Sequence, residues 1–506
     1  MITDLKNELS NAKQLTENGA VGYTTTGKEL LDLNFMTSSL RNKSEEEIFK
    51  LFLKAFYEDK LLAIKWLFFL RDREGMGERR SFRIILNGLG HQHPTIAKEL
   101  ISLVPEYGRW DDLYSLIDGD LTEYVAEFIH QQLNEDCGNY LNEKPISLLA
   151  KWLPKESTKK YKKVYNILLK KFNMTPKEYR RGVSKLRKYL DVVEVKMSAN
   201  EWNKVNYNTI PSKANLLYKD AFLRHDEERR NEYLEDLKNG NENTKINAKV
   251  LMPHEIVHNY ISPLYDGWHL RIKSYDETLE QLWKSLPDYV DVEGFSMFVR
   301  DGSGSMTDRI GNTNITCLDV STALAIYFSE HCKGEYKDNF ITFSNSPKVI
   351  DLSNCSSLRE KIEKCYAEDD WTNTDVYKVF KLVLDVAVKN QYTQEQLPKN
   401  IVIVSDMEFD DATTTRDYKT LFETIQVEYL LHGYDLPRLV FWNVCSRTGT
   451  IPLKTNKNGV CLVSGMSPTI MDMVLSGELD PYKCLVDKLN SSRYDAVEKA
   501  VKNILN

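Results

Sequence analysis

The sequence predicts two folds in one chain, an α-helical repeat array followed by a doubly wound α/β domain. From about residue 45 to 290, apolar residues recur at helical spacing and Gly, Pro and Asp turns separate short segments. After residue 290, nearly continuous apolar runs alternate with helical segments, which is typical of a buried parallel sheet. A chain of 506 residues is also too long for one hydrophobic core. The predicted domains are 1–290 (helical array), 291–480 (α/β domain) and 481–506 (C-terminal helices packing back on the rest).

The helical array starts with SEEEIFKLFLKAFYEDKLLAIKWLFFLRD, which has acidic residues near its start and apolar residues at helical spacing. This pattern predicts a helical hairpin. Short helices follow in SFRIILNGLGHQHP, PTIAKELISLVPEYG, WDDLYSLI and YVAEFIHQQLNEDC. Helical pairs joined this tightly favour a stacked α-solenoid, although the sequence has no fixed repeat period.

In the α/β domain, a short loop rich in oxygen ligands follows the first predicted strand. The apolar run 295–299 is followed by DGSGS, in which Asp301, Ser303 and Ser305 carry one carboxylate and two hydroxyls on alternate residues. Such ligands suit Mg²⁺, a hard ion with octahedral coordination. We expect the two glycines of the loop to let the backbone turn closely around the ion.

Two later segments supply the remaining ligands of such a site. In TNTDVYKVFKLVLDVAV, Thr374 precedes an apolar helix, with Thr372 as the alternative, and in NIVIVSDMEF a buried strand leads to Asp406. Together the three segments resemble the metal-ion-dependent adhesion site of von Willebrand factor A domains. The resemblance implies a Rossmann-like domain that binds Mg²⁺, or another divalent cation. Its ligands would be Asp301, Ser303, Ser305, Thr374 and Asp406.

The implied metal site favours recognition over catalysis. It would leave one Mg²⁺ position open for an incoming oxygen ligand, usually an acidic residue of a partner protein. No nucleophile, general base or nucleotide cradle accompanies the loop, so we expect no enzymatic activity. A metal that only stiffens the domain is the structural alternative.

A basic segment stands out in a chain whose formal net charge is −7. Residues 151–200 hold 15 Lys and Arg against 4 Asp and Glu. Within them, TPKE at 175–178 predicts a helix start with an N-cap, a proline at the first position and a capping box. One face of that helix is apolar and another is basic, the basic residues being Lys177, Arg181, Lys185 and Lys188. Such a surface would neutralise phosphates with a steep salt dependence, and a solvated helix face without a partner is the alternative.

Two loops of the helical array carry residues that are unusual in simple connectors. They read LRDREGMGERRSFR at 70–83 and PEYGRWDDL at 105–113. The first resembles the RD-x-RGG-x-GER-x-x-F segment of TROVE modules. Three further segments resemble a branch of the same superfamily. They are the second loop, the segment KWLPK at 151–155, and the W-x-x-x-x-Y-x-x-I-P-S pattern from Trp202 to Ser212. TROVE modules with a C-terminal von Willebrand factor A domain make up the Ro ribonucleoprotein family, and the likeness extends over roughly residues 20–500.

This resemblance implies a ring of HEAT-like repeats closed by the von Willebrand factor A domain. In Ro proteins the basic outer face binds small structured RNAs, and the central hole admits single-stranded ends of misfolded RNA. The expected function is therefore chaperone-like RNA binding. A protein-interaction scaffold that acts through the metal site without RNA is the alternative. The candidate RNA-binding residues are Arg71, Arg73, Arg79, Arg80, Arg109, Lys159, Lys163, Lys170, Lys171, Lys177, Arg180, Arg181, Lys185 and Lys188.

A second metal motif offers a minor alternative. His254-Glu255-Ile-Val-His258 matches the H-E-x-x-H of zinc metalloproteases, where two imidazoles bind zinc and the glutamate is the general base. The preceding proline most naturally begins the helix, which places the first histidine in its first turn. A third ligand would have to come from Glu277 or Glu280. The simpler interpretation is that both histidines pack or hydrogen-bond within a helical repeat.

The remaining signals favour a cytoplasmic protein without a membrane partner. No apolar run approaches the roughly 18–20 residues of a membrane span, and the N-terminal MITDLKNELSNAKQ lacks the apolar core of a signal peptide. The eight cysteines form no C-x-x-C pair, so we expect reduced thiols.

Overall fold

A computed structural model describes residues 13–17, 21–117, 119–263, 270–289, 296–344, 346–369, 376–408, 418–451, 460–475 and 480–505. The chain forms two compact units. The α/β unit comprises Met1–Ser44, Leu51–Asp59 and Ala248–Leu489. The helical unit comprises Glu45–Lys50, Lys60–Asn247 and Asn490–Asn506.

These boundaries differ from the predicted ones at both ends of the chain. The N-terminal segment joins the α/β unit because Tyr23 and Ile451 exchange two backbone hydrogen bonds of 2.8 Å. The C-terminal segment joins the helical unit, where Glu498 forms a 2.7 Å ion pair with the buried Lys65. Both links are long-range pairings, which local sequence patterns do not reveal.

The helical unit contains the helices that the apolar spacing predicts. Successive helices pack pairwise, as Arg80–Gln92 does on Pro94–Leu100 and Ser212–His225 on Glu227–Lys238. The two helices of the predicted hairpin are present as Glu45–Glu58, whose residues are divided between the two units, and Lys60–Arg71. The other helices of this unit are Val104–Tyr107, Thr122–Leu141, Leu149–Trp152, Lys162–Lys171, Pro176–Tyr189, Val193–Ser198 and Asp495–Val501.

The strands of the α/β unit form one six-stranded sheet and two small hairpins. The strands are β1 (Lys13–Leu15), β2 (Val21–Tyr23), β3 (Ile261–Pro263), β4 (Leu270–Ile272), β5 (Ser296–Asp301), β6 (Asn339–Phe343), β7 (Val349–Asp351), β8 (Asn400–Ser405), β9 (Arg438–Asn443) and β10 (Val460–Ser464). In the large sheet their order is β10-β9-β8-β5-β6-β7. All neighbours run parallel except β6 and β7, which are antiparallel because their connection is too short for a crossover helix.

Alternation of these strands with helices produces the predicted α/β architecture. The core joins strand residues such as Val299, Ile403 and Phe441 to Phe380 and Tyr429 of two helices. The helices of this unit are Glu29–Phe35, Pro253–Tyr260, Glu277–Lys284, Cys317–His331, Leu358–Ala367, Val376–Asn390, Tyr418–Leu431, Met471–Leu475 and Pro481–Leu489. Among the described residues of either unit, no helix has both the length and the apolar character needed to cross a membrane.

Candidate functional sites

The register of two parallel strands places the predicted metal ligands at one edge of the sheet. Arg300 of β5 pairs with Val404 of β8, so the two parallel strands end next to each other at the same edge of the sheet. Asp301 ends β5 and Asp406 follows β8 directly. Each side chain is only 1% exposed. The structure therefore brings the D-x-S-x-S loop and the second aspartate together.

Hydrogen bonds hold the oxygen atoms of the loop in a cluster. The hydroxyl of Ser405 donates to Asp301 Oδ2 at 2.6 Å, and the backbone N–H of Ser303 donates to Asp301 Oδ1 at 2.9 Å. The hydroxyl oxygens of Ser303 and Ser305 lie 3.1 Å apart. A carboxylate and two hydroxyls thus converge beside the end of β5.

Asp406 lies in an unusual environment beside this cluster. Burial, reinforced by the charge of Asp301, raises the pKa of Asp406 to about 7. Its Oδ2 atom is buried and accepts no hydrogen bond from any described residue. The guanidinium of Arg447, 3.4 Å from this oxygen, offsets part of the cost of burying it, and a divalent cation would give it a direct ligand contact. The described ligands therefore fit Mg²⁺.

The threonine of the motif cannot be compared in the same way, because Thr374 and its alternative Thr372 lie outside the described residues. The last described residue before them is Asp369, which Arg300 holds through two hydrogen bonds of 2.5 and 2.9 Å. A Cβ atom on Gly302 would lie 2.2 Å from Asp369 Oδ1, so this position requires glycine.

The second glycine of the loop differs from the prediction. A Cβ atom on Gly304 would meet nothing within 4 Å, so only the first of the two glycines is needed for close approach.

Arg447 lies beside the cluster, although the motif does not predict it. Its Nη2 atom is 3.4 Å from Asp406 Oδ2, and its guanidinium also pairs with Asp308 and Glu17. Burial opposes the charge of Arg447, but Asp406 and then Asp308 raise its pKa. A fixed positive charge therefore stands next to the oxygen that is left without a hydrogen bond.

Glu408 fixes the backbone of this arginine. The side chain of Glu408 is 2% exposed, and its Oε1 accepts hydrogen bonds from the N–H groups of Arg447 and Thr448 at 2.7 and 2.9 Å. Its other oxygen accepts from the N–H of Glu17 at 2.8 Å. Glu408 stands two residues after Asp406 in the sequence, and this proximity could have identified it as a neighbour of the site. Arg447 follows a different strand and has no such signal.

The zinc alternative lacks its third ligand in this part of the structure. His258 Nδ1 lies 2.8 Å from Asp319 Oδ2, and Glu255 accepts from the N–H of Met252 at 3.0 Å as a helix cap. His254 is buried in the first turn of Pro253–Tyr260.

The two glutamates that were candidates for the third zinc ligand also have other partners. Glu280 accepts from the Tyr260 hydroxyl at 2.7 Å and from the Leu358 N–H at 2.8 Å. Glu277 accepts from Gln281 at 2.7 Å. Across the described ranges, no three His, Cys, Asp or Glu side chains are grouped as a metal site.

In the helical unit, aromatic contacts join the two basic helices. Tyr179 of Pro176–Tyr189 contacts Tyr165 and Phe172 with ring-centroid distances of 5.2 and 6.2 Å. The predicted capping box is present at Thr175. The candidate residues that are exposed here are Lys159, Lys163, Lys170, Lys177, Arg180, Arg181, Lys185 and Lys188.

Lys171 differs from these exposed residues. It is partly buried and pairs with Glu123 and Glu127, which neutralise much of its charge. We therefore regard Lys171 as a structural cation.

The two motif loops form a network of ion pairs, which corrects the role predicted for two arginines. Arg71 is 4% exposed and pairs with the fully buried Asp112 at 2.7 Å. Arg83 reaches both Asp112 at 2.6 Å and Asp111 at 2.8 Å.

Arg109 completes the network by pairing with Asp111 at 2.9 Å and lying 3.9 Å over the Trp152 ring. Arg71 and Arg109 therefore hold the loops together and are not exposed phosphate contacts. Arg73, Arg79 and Arg80 remain exposed.

Residues 296–503 match a family described as Domain of unknown function (DUF7788), and residues 154–294 match Domain of unknown function (DUF2828). An uncharacterised protein of Acanthamoeba polyphaga mimivirus is 28% identical over 504 residues, covering 92% of this chain and 84% of the relative. The crystal structure of the Deinococcus radiodurans Ro protein aligns over 87% of this chain and 93% of its own, with 12% identity and a TM-score of 0.39. A TM-score this low transfers neither fold nor function.

Proposed function

We propose that the protein binds RNA through the basic helices of its helical unit. The observation that carries the proposal is the exposed cationic stripe of Pro176–Tyr189, which lies apart from the buried face of Tyr179, Val183 and Leu186. Such a stripe can neutralise the phosphates of RNA with release of counterions. The likeness of the motif loops to TROVE modules favours small structured or misfolded RNA as the ligand.

A salt series tests RNA binding. Wild-type protein should retain a structured RNA with a single-stranded 3′ tail in filter binding, and its affinity should fall steeply with salt. Lys185→Glu/Lys188→Glu should weaken binding and lower the slope of log affinity against log salt by about 2, because each lost phosphate contact contributes about 1.

The control for this series is Lys60→Glu/Lys238→Glu, which makes the same charge change at exposed positions outside residues 151–200. It should have a much smaller effect. Absence of binding, or binding that salt does not weaken, would contradict the proposal and leave the protein-interaction scaffold as the better account.

We propose a second function for the α/β unit, the binding of Mg²⁺ or a related divalent cation. Asp301, Ser303, Ser305 and Asp406 would hold the ion, with Thr374 as the fifth ligand. The buried Oδ2 of Asp406 supports this proposal. The ion would recruit an acidic residue of a protein partner to its open position.

Thermal unfolding with and without Mg²⁺ tests the metal site. A saturating ion should stabilise the wild type by about 2.7 kcal/mol at a concentration 100 times its Kd. Asp301→Ala should abolish this stabilisation. Asp385→Ala, which removes an exposed carboxylate of the same unit, should not. Equal responses of the two variants would refute specific binding.

A further inference from the structure

A cavity of about 890 Å³ opens within the helical unit. Its walls come from Leu149–Trp152, Pro176–Tyr189, Val193–Ser198 and Ser212–His225. The volume lies within the roughly 300–1,000 Å³ typical of sites for small organic ligands. The cavity is distinct from the cationic stripe, because it uses the flank of Pro176–Tyr189 that carries Arg180 and Ser184.

The walls of the cavity are mainly apolar and aromatic. Trp152, Tyr165 and Tyr218 contribute rings, and Leu217 leaves 73% of its surface exposed beside them. The guanidinium of Arg109 lies 3.9 Å from the centre of the Trp152 ring and thereby fixes its orientation. Aromatic walls of this kind favour a flat, unsaturated ligand group.

The charges around the cavity favour an anion. Five cations and two carboxylates line it, and Lys155, Arg180 and Lys213 are among its exposed cations. Arg187 is already engaged, since it donates to the carbonyl oxygens of Leu153 and Ala150 at 2.7 and 2.8 Å. Glu156 lies 3.9 Å from Arg180, and both side chains are exposed.

The second carboxylate, Glu194, has a different environment. Its Oε1 accepts a hydrogen bond from the Tyr218 hydroxyl at 3.2 Å. Its Oε2 is buried and accepts none from the described residues. Glu194 is a half-buried residue of the cavity lining, so a ligand group that reaches its carboxylate would have to be an N–H or O–H donor, in addition to the flat body and negative charge that the other walls favour.

We propose that the cavity binds an unpaired nucleotide. The base would lie against the aromatic walls with its N–H edge at Glu194, and the phosphate would face Lys155, Arg180 and Lys213. Guanine suits this arrangement best, because its Watson–Crick edge offers two adjacent N–H donors to one carboxylate. A free nucleotide and an unpaired RNA end share this chemistry. Only the RNA source rests on the proposed RNA-binding function.

Calorimetry with GMP, AMP and ribose 5-phosphate, and with pentanucleotides ending in G or A, tests the proposal. The wild type should prefer GMP to AMP by about tenfold or more, which is the discrimination expected of a bidentate contact. Ribose 5-phosphate should bind much more weakly. Binding of the G-ended pentanucleotide without GMP would identify RNA as the source, whereas binding of both would add free nucleotides.

Two matched substitutions separate base recognition from general charge. Glu194→Gln should lose the preference for guanine, while Glu156→Gln makes the same charge change in the same cavity and should keep it. Tyr218→Phe retains the ring and should also keep the preference, which covers the case in which Glu194→Gln fails to fold. Circular dichroism checks the fold of each variant.

The proposal is overturned if neither GMP nor the G-ended pentanucleotide binds, if ribose 5-phosphate binds as well as GMP, or if both glutamate variants change affinity alike. These failures differ from failure of the proposed function. Lys185→Glu/Lys188→Glu should weaken structured RNA and leave GMP binding unchanged, whereas loss of the cavity should spare the salt-dependent binding of a duplex.

Discussion

Among single residues, Arg447 should have the largest influence on the candidate metal site formed by Asp301, Ser303, Ser305 and Asp406. Its guanidinium lies 3.4 Å from Asp406 Oδ2, and Glu408 holds its backbone in place. In the absence of a divalent ion, this arginine offsets part of the charge of the two buried aspartates. The same charge repels an entering cation, so Arg447 should limit metal affinity.

Replacing this arginine should strengthen Mg²⁺ binding. We expect Arg447→Ala to lower the Kd by about tenfold, about 1.4 kcal/mol, because it removes a positive charge close to the ion. Arg447→Lys retains the charge and should bind Mg²⁺ much as the wild type does. Titration calorimetry measures both. Weaker binding by Arg447→Ala would instead show that the arginine positions the acidic ligands.

Sequence reasoning reached some of these residues and not others. Asp301 and Asp406 were predictable because the ends of parallel strands meet at one sheet edge. Arg447 comes from a loop after another strand, and only the folded chain brings it near. Arg71 was predicted to be an exposed RNA contact, but it is buried. A count of cations does not reveal Asp112, the buried carboxylate with which Arg71 pairs.

At the scale of elements, the first motif loop anchors the C-terminal helix. Asp72 is 1% exposed and receives two hydrogen bonds from Arg493 at 2.8 and 3.0 Å. The hydroxyl of Tyr494 lies 3.3 Å from the same carboxylate, and its ring stacks on Tyr107 with centroids 5.8 Å apart. The loop sequence therefore has a structural reason that is independent of any RNA.

Removal of this aspartate should destabilise the helical unit. Asp72→Ala should lower the free energy of unfolding by about 1–3 kcal/mol, because it leaves the buried Tyr494 hydroxyl and the partly exposed Arg493 guanidinium without their acceptor. Urea denaturation measures the change, and a double-mutant cycle with Arg493→Ala assigns it to the pair. Glu74→Ala is the matched control. Glu74 is exposed, and its contact with Arg493 is long, at 3.8 Å. Its removal should therefore lower the free energy of unfolding by no more than about 0.5 kcal/mol.

The helices and strands themselves were largely predictable, since apolar period and caps determine them locally. The helices Glu45–Glu58 and Lys60–Arg71 and the capping box at Thr175 follow the sequence closely. The antiparallel direction of the edge strand β7 was less evident, because a short apolar run predicts a strand but not whether it runs parallel or antiparallel to its neighbour. Only the length of its connection to β6 excludes a parallel crossover.

For the whole molecule, the net charge conceals an uneven distribution of charge along the chain. The chain carries −7 overall, yet residues 151–200 hold 15 basic and 4 acidic residues. The basic stripe belongs to the helical unit and the metal cluster to the α/β unit. The domain boundaries were mispredicted because both chain ends join units that are distant in sequence. The candidate RNA-binding residues and the candidate Mg²⁺ ligands lie in the units predicted for them, whereas the His254-Glu255-x-x-His258 segment, predicted in the helical array, belongs to the α/β unit.

This division predicts that the two sites can be removed separately. Asp301→Ala should lose the stabilisation by Mg²⁺ and bind structured RNA with the affinity of the wild type. Lys185→Glu/Lys188→Glu should show the reverse, because neither substitution alters a residue of the other site. Thermal unfolding and filter binding on the same preparations measure both responses.

Mg²⁺ also binds RNA directly, so an effect of the ion on RNA affinity does not by itself show coupling between the two sites. Coupling would appear as a difference in that effect between the wild type and Asp301→Ala. The informative comparison is the change in RNA affinity on adding Mg²⁺ at constant ionic strength, in the wild type and in Asp301→Ala. Independent sites require the same change in both. A larger change in the wild type would mean that the bound ion alters RNA affinity, and linkage then requires that RNA alter the affinity for the ion by the same factor.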